Sequence, residues 1–249
     1  YCNDFNYAYF LPFVKSGKRI AYAPSMGAQL SIKTYKDRKK VIDLLNQYDA
    51  ISVREAVGSR YIGEITKMPT ASVLDPTLLL NPQEYDNLID DKPLIKGEYV
   101  FIYSPNFTEK VNEMAEALGD KYNKQVVISQ GLISKNAMLK WGRKFNIYTA
   151  TGPKEFLNLC KNASIICCDS FHAVAFSILF KKCFFVLDGM KDNRISNLLQ
   201  ITHLQNRNFS SPNEYFNAPL QMDFTQPLGA LEIERRKSLE WLKEHLDVC

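Results

Sequence analysis

The chain has 249 residues, 46% hydrophobic and 23% charged, with a formal net charge of +4. That is the composition of a globular protein, long enough for one large domain or two small ones. The basic clusters Arg38-Lys39-Lys40 and Glu234-Arg235-Arg236-Lys237 are too short for a nucleic-acid-binding stripe and read as solvated helix faces, so no nucleic-acid partner is expected.

The longest apolar stretch, Ala173 to Phe180, falls far short of the roughly 18 residues a membrane span needs. The chain opens at Tyr1, within an element rather than at an initiator Met, and an N-terminally incomplete sequence is expected. Six cysteines occur without a Cys-x-x-Cys pair. Cys160, Cys167, Cys168 and Cys183 lie in apolar patterns, as small buried hydrophobes do. This usage suits a reducing compartment, and a cytoplasmic location is expected. Three histidines without ligand-like spacing give no expectation of a metal site.

Residues 18–24 read as a strand that ends in the turn Pro24-Ser25-Met26-Gly27. Val41, Leu44, Leu45 and Tyr48 recur with helical period, predicting a helix over 36–48. Residues 51–55 form a short strand, 58–65 a helix, and 71–80 a strand broken by Asp75-Pro76. Turn residues and acids between Asn81-Pro82 and Lys92-Pro93 mark a boundary, giving domains over 1–92 and 93–249.

The pattern then restarts. A strand over 98–105 precedes a helix over 109–122 whose Val111, Met114, Ala115 and Leu118 share one face, and a strand over 125–130. Residues 131–150 read as a long, irregular connection. Pro153 opens a helix through Lys161. A buried strand from Ile165, a polar turn, a helix, and a second strand from Cys183 follow. The chain ends with a helix near 195–199, a polar loop, and a long helix over 228–246. Strands alternating with helices imply parallel sheets with right-handed crossovers.

The polar turn concentrates the chemistry. Asp169 and Ser170 are N-cap candidates for a helix whose core stripe is Phe171, Val174, Ala175, Ile178 and Leu179. His172 lies off that stripe in the first turn, beside unsatisfied backbone N–H groups and the positive end of the helix dipole. An anion bound there would raise the imidazole's affinity for a proton, as a general acid requires. As a bare pattern, Asp-x-x-His is equally a capped helix with a locally bonded imidazole. Arg54, closing the strand at 51–53, is either a surface ion pair with a neighbour such as Glu55 or a clamp for carboxylate or phosphate. Arg194, before a helix opening near Ser196, offers a second anion pocket. The Ser25–Gly27 turn offers a third.

The segments IAYAPSMG (20–27), ISVREAVG (51–58), SVLDPTLLL (72–80), IICCDSFHAVAFSILFKKCFFVLDG (165–189) and NRISNLL (193–199), in that order, resemble the polysaccharide pyruvyl transferase family. Ala173 stands where that family often has Gly. The resemblance implies two Rossmann-like α/β domains arranged as in the GT-B glycosyltransferases, the first incomplete, with the last helix packing back toward it. It implies transfer of pyruvate from phosphoenolpyruvate to two hydroxyls of a sugar in a surface or capsular polysaccharide precursor, giving a cyclic ketal and phosphate.

By the same resemblance, Arg54 and the Asp169-Ser170-Phe171-His172 turn would hold phosphoenolpyruvate, with His172 as general acid. Arg194, Ser196, Ser25 and Gly27 would border the substrates. No metal or organic cofactor is expected. The expected partners are phosphoenolpyruvate and a sugar or lipid-linked oligosaccharide, with peripheral membrane association through that acceptor and a homo-oligomer as further expectations. Two alternatives stand beside this reading. One is a GT-B glycosyltransferase using a nucleotide sugar, and the other is a non-catalytic carbohydrate- or anion-binding homologue.

Overall fold

The computed structural model describes residues 7–27, 38–89, 92–129, 134–142, 144–149 and 151–246. The chain divides into two compact units. The first holds the residues through Leu79, Asp192–Asn197 and the chain from Glu232, and the second holds Leu80–Lys191 and Leu198–Leu231. Among the described residues no helix is long and apolar enough to cross a membrane.

Among the described residues the first unit is built on three parallel strands, β1 (Ile20–Ala21), β2 (Ala50–Val53) and β3 (Thr70–Ser72), in that order. Helices α1 (Arg38–Leu45) and α2 (Ala56–Thr66) make the crossovers. Lys36 and Asp37, where the sequence starts the first helix, lie outside the described residues. β2 is central and buried along its whole length, as a strand covered on both faces must be. Ile51 and Val53 pack with Val41, Leu45 and Tyr48, which precede them in the chain, and with Ile62, which follows. The left-handed backbone of Lys67 ends α2, its N–H returning to the carbonyl of Gly63.

β3 is shorter than the strand the sequence suggests over 71–80. Pro76 cannot donate to a ladder, and Asp75 instead caps a 3₁₀ turn, Pro76–Leu78, by accepting the N–H of Thr77. The terminal helix satisfies the backbone that this turn leaves over. Ser238 accepts the N–H of Leu74 at 2.9 Å, Arg235 donates to the carbonyl of Leu78 at 2.9 Å, and Trp241 lies 6.0 Å from the ring of Tyr22.

The second unit begins with the short helix α3 (Pro82–Asp86), then alternates β4 (Tyr99–Tyr103), α4 (Glu109–Tyr122), β5 (Gln125–Ser129), α5 (Lys135–Trp141), β6 (Asn146–Tyr148), α6 (Pro153–Asn162), β7 (Ile165–Cys168), α7 (Phe171–Leu179) and β8 (Cys183–Leu187). Helix α8 (Asn193–Ile201), strand β9 (Asn208–Phe209), helix α9 (Pro212–Phe216) and helix α10 (Thr225–Leu246) complete the chain. All six strands are parallel, in the order β6-β5-β4-β7-β8-β9. This is the doubly wound order of a Rossmann-like fold, with the winding reversing between β4 and β7.

The alternation of side chains along β4 serves both layers. Val100 and Ile102 pack with Val111, Met114, Ala115 and Leu118 of α4. Phe101 turns to the opposite face, where its ring lies 6.4 Å from Phe156 of α6. Gly119 lets α4 approach the sheet closely, because a Cβ there would stand 2.8 Å from Val126.

The irregular connection expected over 131–150 instead carries α5 and the edge strand β6, although residues 130–133, Arg143 and Ala150 lie outside the described residues. Trp141 anchors it, fully buried, with its ring N–H donated to Glu116 at 2.8 Å. The polar loop expected after α8 holds β9 and α9. Cys160, Cys167 and Cys168 are buried free thiols, and burial pushes Cys168 up to about 12. Cys2 and Cys249 lie outside the described residues.

Arg207 holds the far edge of this sheet. Its guanidinium is buried, donating to the carbonyls of Phe184 and Pro219 at 3.0 Å each and to the Cys183 sulfur at 3.4 Å. It also lies over the ring of Phe185 at 4.6 Å. Charge-assisted bonds to carbonyls in a dry site contribute more than neutral ones. Arg207→Ala should therefore cost about 3 kcal/mol of unfolding free energy, measured by urea denaturation. A loss within experimental error would show that these bonds do not hold β8 and β9.

Candidate functional site

Two groups of polar side chains gather at strand ends, one in each unit. In the second unit they lie at the switch point, past the C-terminal ends of β4 and β7, the place where doubly wound sheets bind ligands. The chain leaves β4 through Ser104 and leaves β7 through Asp169. These two residues meet: Ser104 donates its hydroxyl to Asp169 at 3.0 Å, Thr108 donates at 2.6 Å, and Asn106 donates its amide at 3.5 Å. Asp169 therefore ties the β4–α4 loop to the β7–α7 turn and does not cap α7, as the sequence allowed. The N-cap is Ser170, in extended backbone and without a side-chain cap bond.

Thr108, at the N-cap of α4, likewise spends its hydroxyl on Asp169 and makes no side-chain cap bond. Helices α4 and α7 thus both begin at this edge without side-chain caps, the condition in which backbone N–H groups face an anion. His172 stands exposed in the first turn of α7, its ring edge-on to Phe171 at 5.3 Å. Phe171 itself is buried, so its contribution is to the wall of the turn and the core. The second oxygen of Asp169 is buried without a hydrogen-bond partner.

In the first unit, side chains run along the C-terminal edge of the three-stranded sheet. Glu55, two residues past the end of β2, is fully buried. Its carboxylate accepts the Ser25 hydroxyl and, at 3.4 Å, the N–H of Met26, reaching the turn that follows β1. Ser25 in turn accepts the N–H of Gly27 at 2.9 Å, and Gly27 adopts φ +76°, where a side chain would be strained. Ala23, just before this turn, is held at φ 52° although it is not glycine. Arg54 reaches the other way. Its guanidinium bonds Asp75, after β3, and lies 3.9 Å from Glu55. The main partner is thus Asp75, where the sequence suggested Glu55.

Arg194 belongs to the same unit. It chelates Asp192, donating Nε at 2.9 Å and a terminal nitrogen at 2.5 Å. Asp192 also accepts the backbone N–H of Arg194 at 2.9 Å, the bond of an N-cap. Helix α8 therefore opens at Asn193, not near Ser196, with the carboxylate of Asp192 as its cap. Burial works against ionisation of Asp192, but the bonds from Arg194 outweigh it and hold the carboxyl below its usual range. Ser196 donates to the carbonyl of Asn193 at 3.3 Å. Asn197, one turn on from Arg194, donates to the carbonyl of Arg54 at 3.3 Å and accepts the N–H of Ala56 at 3.4 Å.

The structure brings Arg54, Ser25, Gly27, Arg194 and Ser196 into one unit, and Asp169, Ser170, Phe171 and His172 into the other. Sequence reasoning missed Glu55 as a centre in its own right, and missed Asp75, Asp192, Asn197, Ser104 and Thr108 as partners. Carboxylates just past the strand ends, Glu55 after β2 and Asp75 after β3, were the readable signal. The partners of Asp169 lie more than 60 residues away along the chain and leave no local trace.

Burial raises the Glu55 carboxyl above its usual range. It outweighs the bonds from Ser25 and Met26 and the nearby charges of Arg54 and Arg194. Such a group binds its proton more tightly in the folded chain than in the unfolded chain. The stability this adds is complete below the usual carboxyl value of 4.5 and is lost as pH rises through the raised value. The unfolding free energy of wild type minus that of Glu55→Gln should therefore increase as pH falls from neutral toward 4.5. A difference constant with pH would show a carboxyl that titrates alike in both states.

Solved structures resemble the chain at low identity. UDP-N-acetylglucosamine 2-epimerase from Rickettsia bellii is 14% identical, covers 85% of this chain and aligns with a TM-score of 0.48. The UDP-GlcNAc 2-epimerase of Methanocaldococcus jannaschii is 13% identical, covers 82% and gives 0.46. The wall teichoic acid polymerase TagF is 14% identical, covers 86% and gives 0.45. The chain spans 62%, 60% and 62% of those structures. Among curated proteins no sequence matches it. The sequence model of polysaccharide pyruvyl transferases, by contrast, matches residues 2–189, from ahead of the Ser25 turn through the His172 helix to the end of β8. The chain belongs to the polysaccharide pyruvyl transferase family.

Proposed function

We propose that the protein transfers pyruvate from phosphoenolpyruvate to two hydroxyls of one sugar in a polysaccharide precursor, forming a cyclic ketal and releasing phosphate. Family membership supports a transferase acting in polysaccharide modification. The observation that carries the finer reading is His172, an exposed imidazole in the first turn of α7 at the switch point of a doubly wound sheet. Phosphoenolpyruvate presents a phosphate and a carboxylate, and uncapped helix N-termini with a neighbouring imidazole suit such charges.

In this reading His172 gives its proton to the methylene carbon as a sugar hydroxyl oxygen bonds to the adjacent carbon, and the hydroxyl's proton returns to the imidazole. Phosphate leaves with the electrons of its C–O bond, and the second hydroxyl closes the ring, its proton going to the departing phosphate. The dipole of α7 favours neutral imidazole in the empty protein, and the charge of the bound donor favours imidazolium, so the acid forms when it is needed. Arg54 supplies a planar guanidinium for carboxylate or phosphate, with Arg194, Ser196 and the Ser25–Gly27 turn as further substrate-bordering groups. Asp169 and Ser170 hold the turn that presents His172. The reaction requires no metal or organic cofactor. The acceptor is a sugar or a lipid-linked oligosaccharide, met in the cytoplasm.

Phosphoenolpyruvate at saturating excess should raise the melting temperature, because a ligand at about 100 times its Kd adds about 2.7 kcal/mol of stability. A panel of nucleotide sugars should leave it unchanged. Stabilisation by a nucleotide sugar and none by phosphoenolpyruvate would overturn the reading in favour of glycosyl transfer, and stabilisation by neither would also count against it.

Steady-state kinetics separate the two named roles. His172→Ala should lower kcat by about 10²–10⁴-fold, the range of general-acid catalysis, with little change in KM for phosphoenolpyruvate. Arg54→Ala should raise that KM by about 10–100-fold, as losing charged hydrogen bonds does. Full turnover by His172→Ala would remove the acid role, and an unchanged KM in Arg54→Ala would remove the clamp.

A further inference from the structure

Asn197 is set apart from the other polar residues of α8 by what its side chain holds. Its amide makes two bonds to main chain 141–143 residues earlier: Nδ2 donates to the carbonyl of Arg54 and Oδ1 accepts the N–H of Ala56. These are the backbone groups on either side of Glu55. Only this orientation of the amide satisfies both, since the flipped one would set donor against donor and acceptor against acceptor. Ala56 is the first residue of α2, whose N-cap, Glu55, makes no side-chain cap bond because its carboxylate is turned to Ser25 and Met26. Asn197 thus satisfies from another helix one of the N–H groups left over at the start of α2.

The same two bonds fix the backbone from which Arg54 projects. β2 ends at Val53, and just beyond it the N–H of Arg54, donated to Pro24 at 3.3 Å, continues the backbone pairing toward β1. Asn197 secures the next peptide. It sits one turn after Arg194 on α8, so the helix that carries Arg194 also grips the segment that carries Arg54.

We propose that Asn197 is a positioning residue that registers the guanidinium of Arg54 against that of Arg194, by clamping the main chain on both sides of Glu55. It touches neither substrate nor reacting atoms, and acts through Arg54. This rests on the reading of Arg54 as a ligand for phosphoenolpyruvate.

The test compares wild type, Asn197→Ala, Asn197→Asp, Arg54→Ala and the Asn197→Ala/Arg54→Ala double variant. Hydrogen exchange at the Ala56 amide reads the clamp directly: protection should fall in Asn197→Ala and persist in Asn197→Asp, which keeps an acceptor where the start of α2 favours negative charge. KM for phosphoenolpyruvate should rise about tenfold in Asn197→Ala with kcat nearly unchanged. The same substitution should add nothing once Arg54 is gone. Should Asn197→Ala fail to fold, Asn197→Asp carries the test, with Ala56 protection kept and KM raised through the lost donor to the Arg54 carbonyl.

Unchanged exchange at Ala56 in Asn197→Ala overturns the proposal. So does an equal loss of activity with and without Arg54, or an unchanged KM in Asn197→Asp. If Arg54→Ala alone leaves KM unchanged, the phosphoenolpyruvate reading has failed. The exchange result then decides the clamp: lost protection upholds it and kept protection overturns it.

Discussion

The parallel pairing of β4 with β7 is the constraint on which the second unit depends. Parallel strands cannot be joined by a tight turn, so each connection crosses a face of the sheet, and at one place the crossovers must part to opposite sides. That place is between β4 and β7, whose register runs from Val100 opposite Ile165 to Tyr103 opposite Cys168. Both strands are buried from Tyr99 to Ile102 and from Ile165 to Cys168, which fixes the edge at which they end. The groups emerging there, Ser104 and Asp169, must find partners in each other or in a ligand. One oxygen of Asp169 collects three donors, so the two loops are held together without spending the start of either helix.

The first unit solves a related problem with charge. Arg54 and Glu55 follow β2, Asp75 follows β3, and Ser25 follows β1. Their bonds link the three strand ends laterally where the backbone ladder has stopped. A buried carboxylate costs desolvation that Coulomb attraction only partly offsets. Such an arrangement is therefore a weak source of stability and a strong constraint on geometry. The raised affinity of Glu55 for a proton is the visible sign of that cost, and the left-handed backbone at Ala23 is a second local expense at the same edge.

Much of this frame was legible in the sequence, and the reason differs by element. β7 shows an unbroken apolar run and α4 a clear 3.6-residue period because they pack on the sheet core, and burial is what those patterns record. β6 and β9 are edge strands of three and two residues, too short for any period to register. The strand expected to continue past Ser72 is apolar enough, but Asp75-Pro76 diverts it into a 3₁₀ turn. At the site, residue types were readable and partnerships were not. Asp169 looked like a cap because capping is a local habit of Asp, while its actual donors come from across the switch point. Arg54 looked like a partner of its neighbour Glu55, while the stronger bond goes to Asp75. Asn197 carried no signal at all, since an Asn inside a helix is ordinary until its partners are known.

The pairing of both arginines shapes what they can do for an anion. Arg54 bonds Asp75, and Arg194 chelates Asp192. An arginine held by a carboxylate on one side of its planar fork keeps its orientation. That preorganisation lowers the entropy lost when a ligand binds, but the neighbouring carboxylate repels the same ligand. Net attraction of an anion to such an arginine therefore depends on geometric match more than on charge alone. A planar carboxylate or a phosphate face can satisfy two donors at once, whereas a monovalent spherical anion cannot. In the proposed role of Arg54 as a ligand for phosphoenolpyruvate, such selection by shape would be lost if the backbone behind Arg54 shifted. The clamp by Asn197 on either side of Glu55 and the tether of Glu55 to the Ser25 turn act on that backbone.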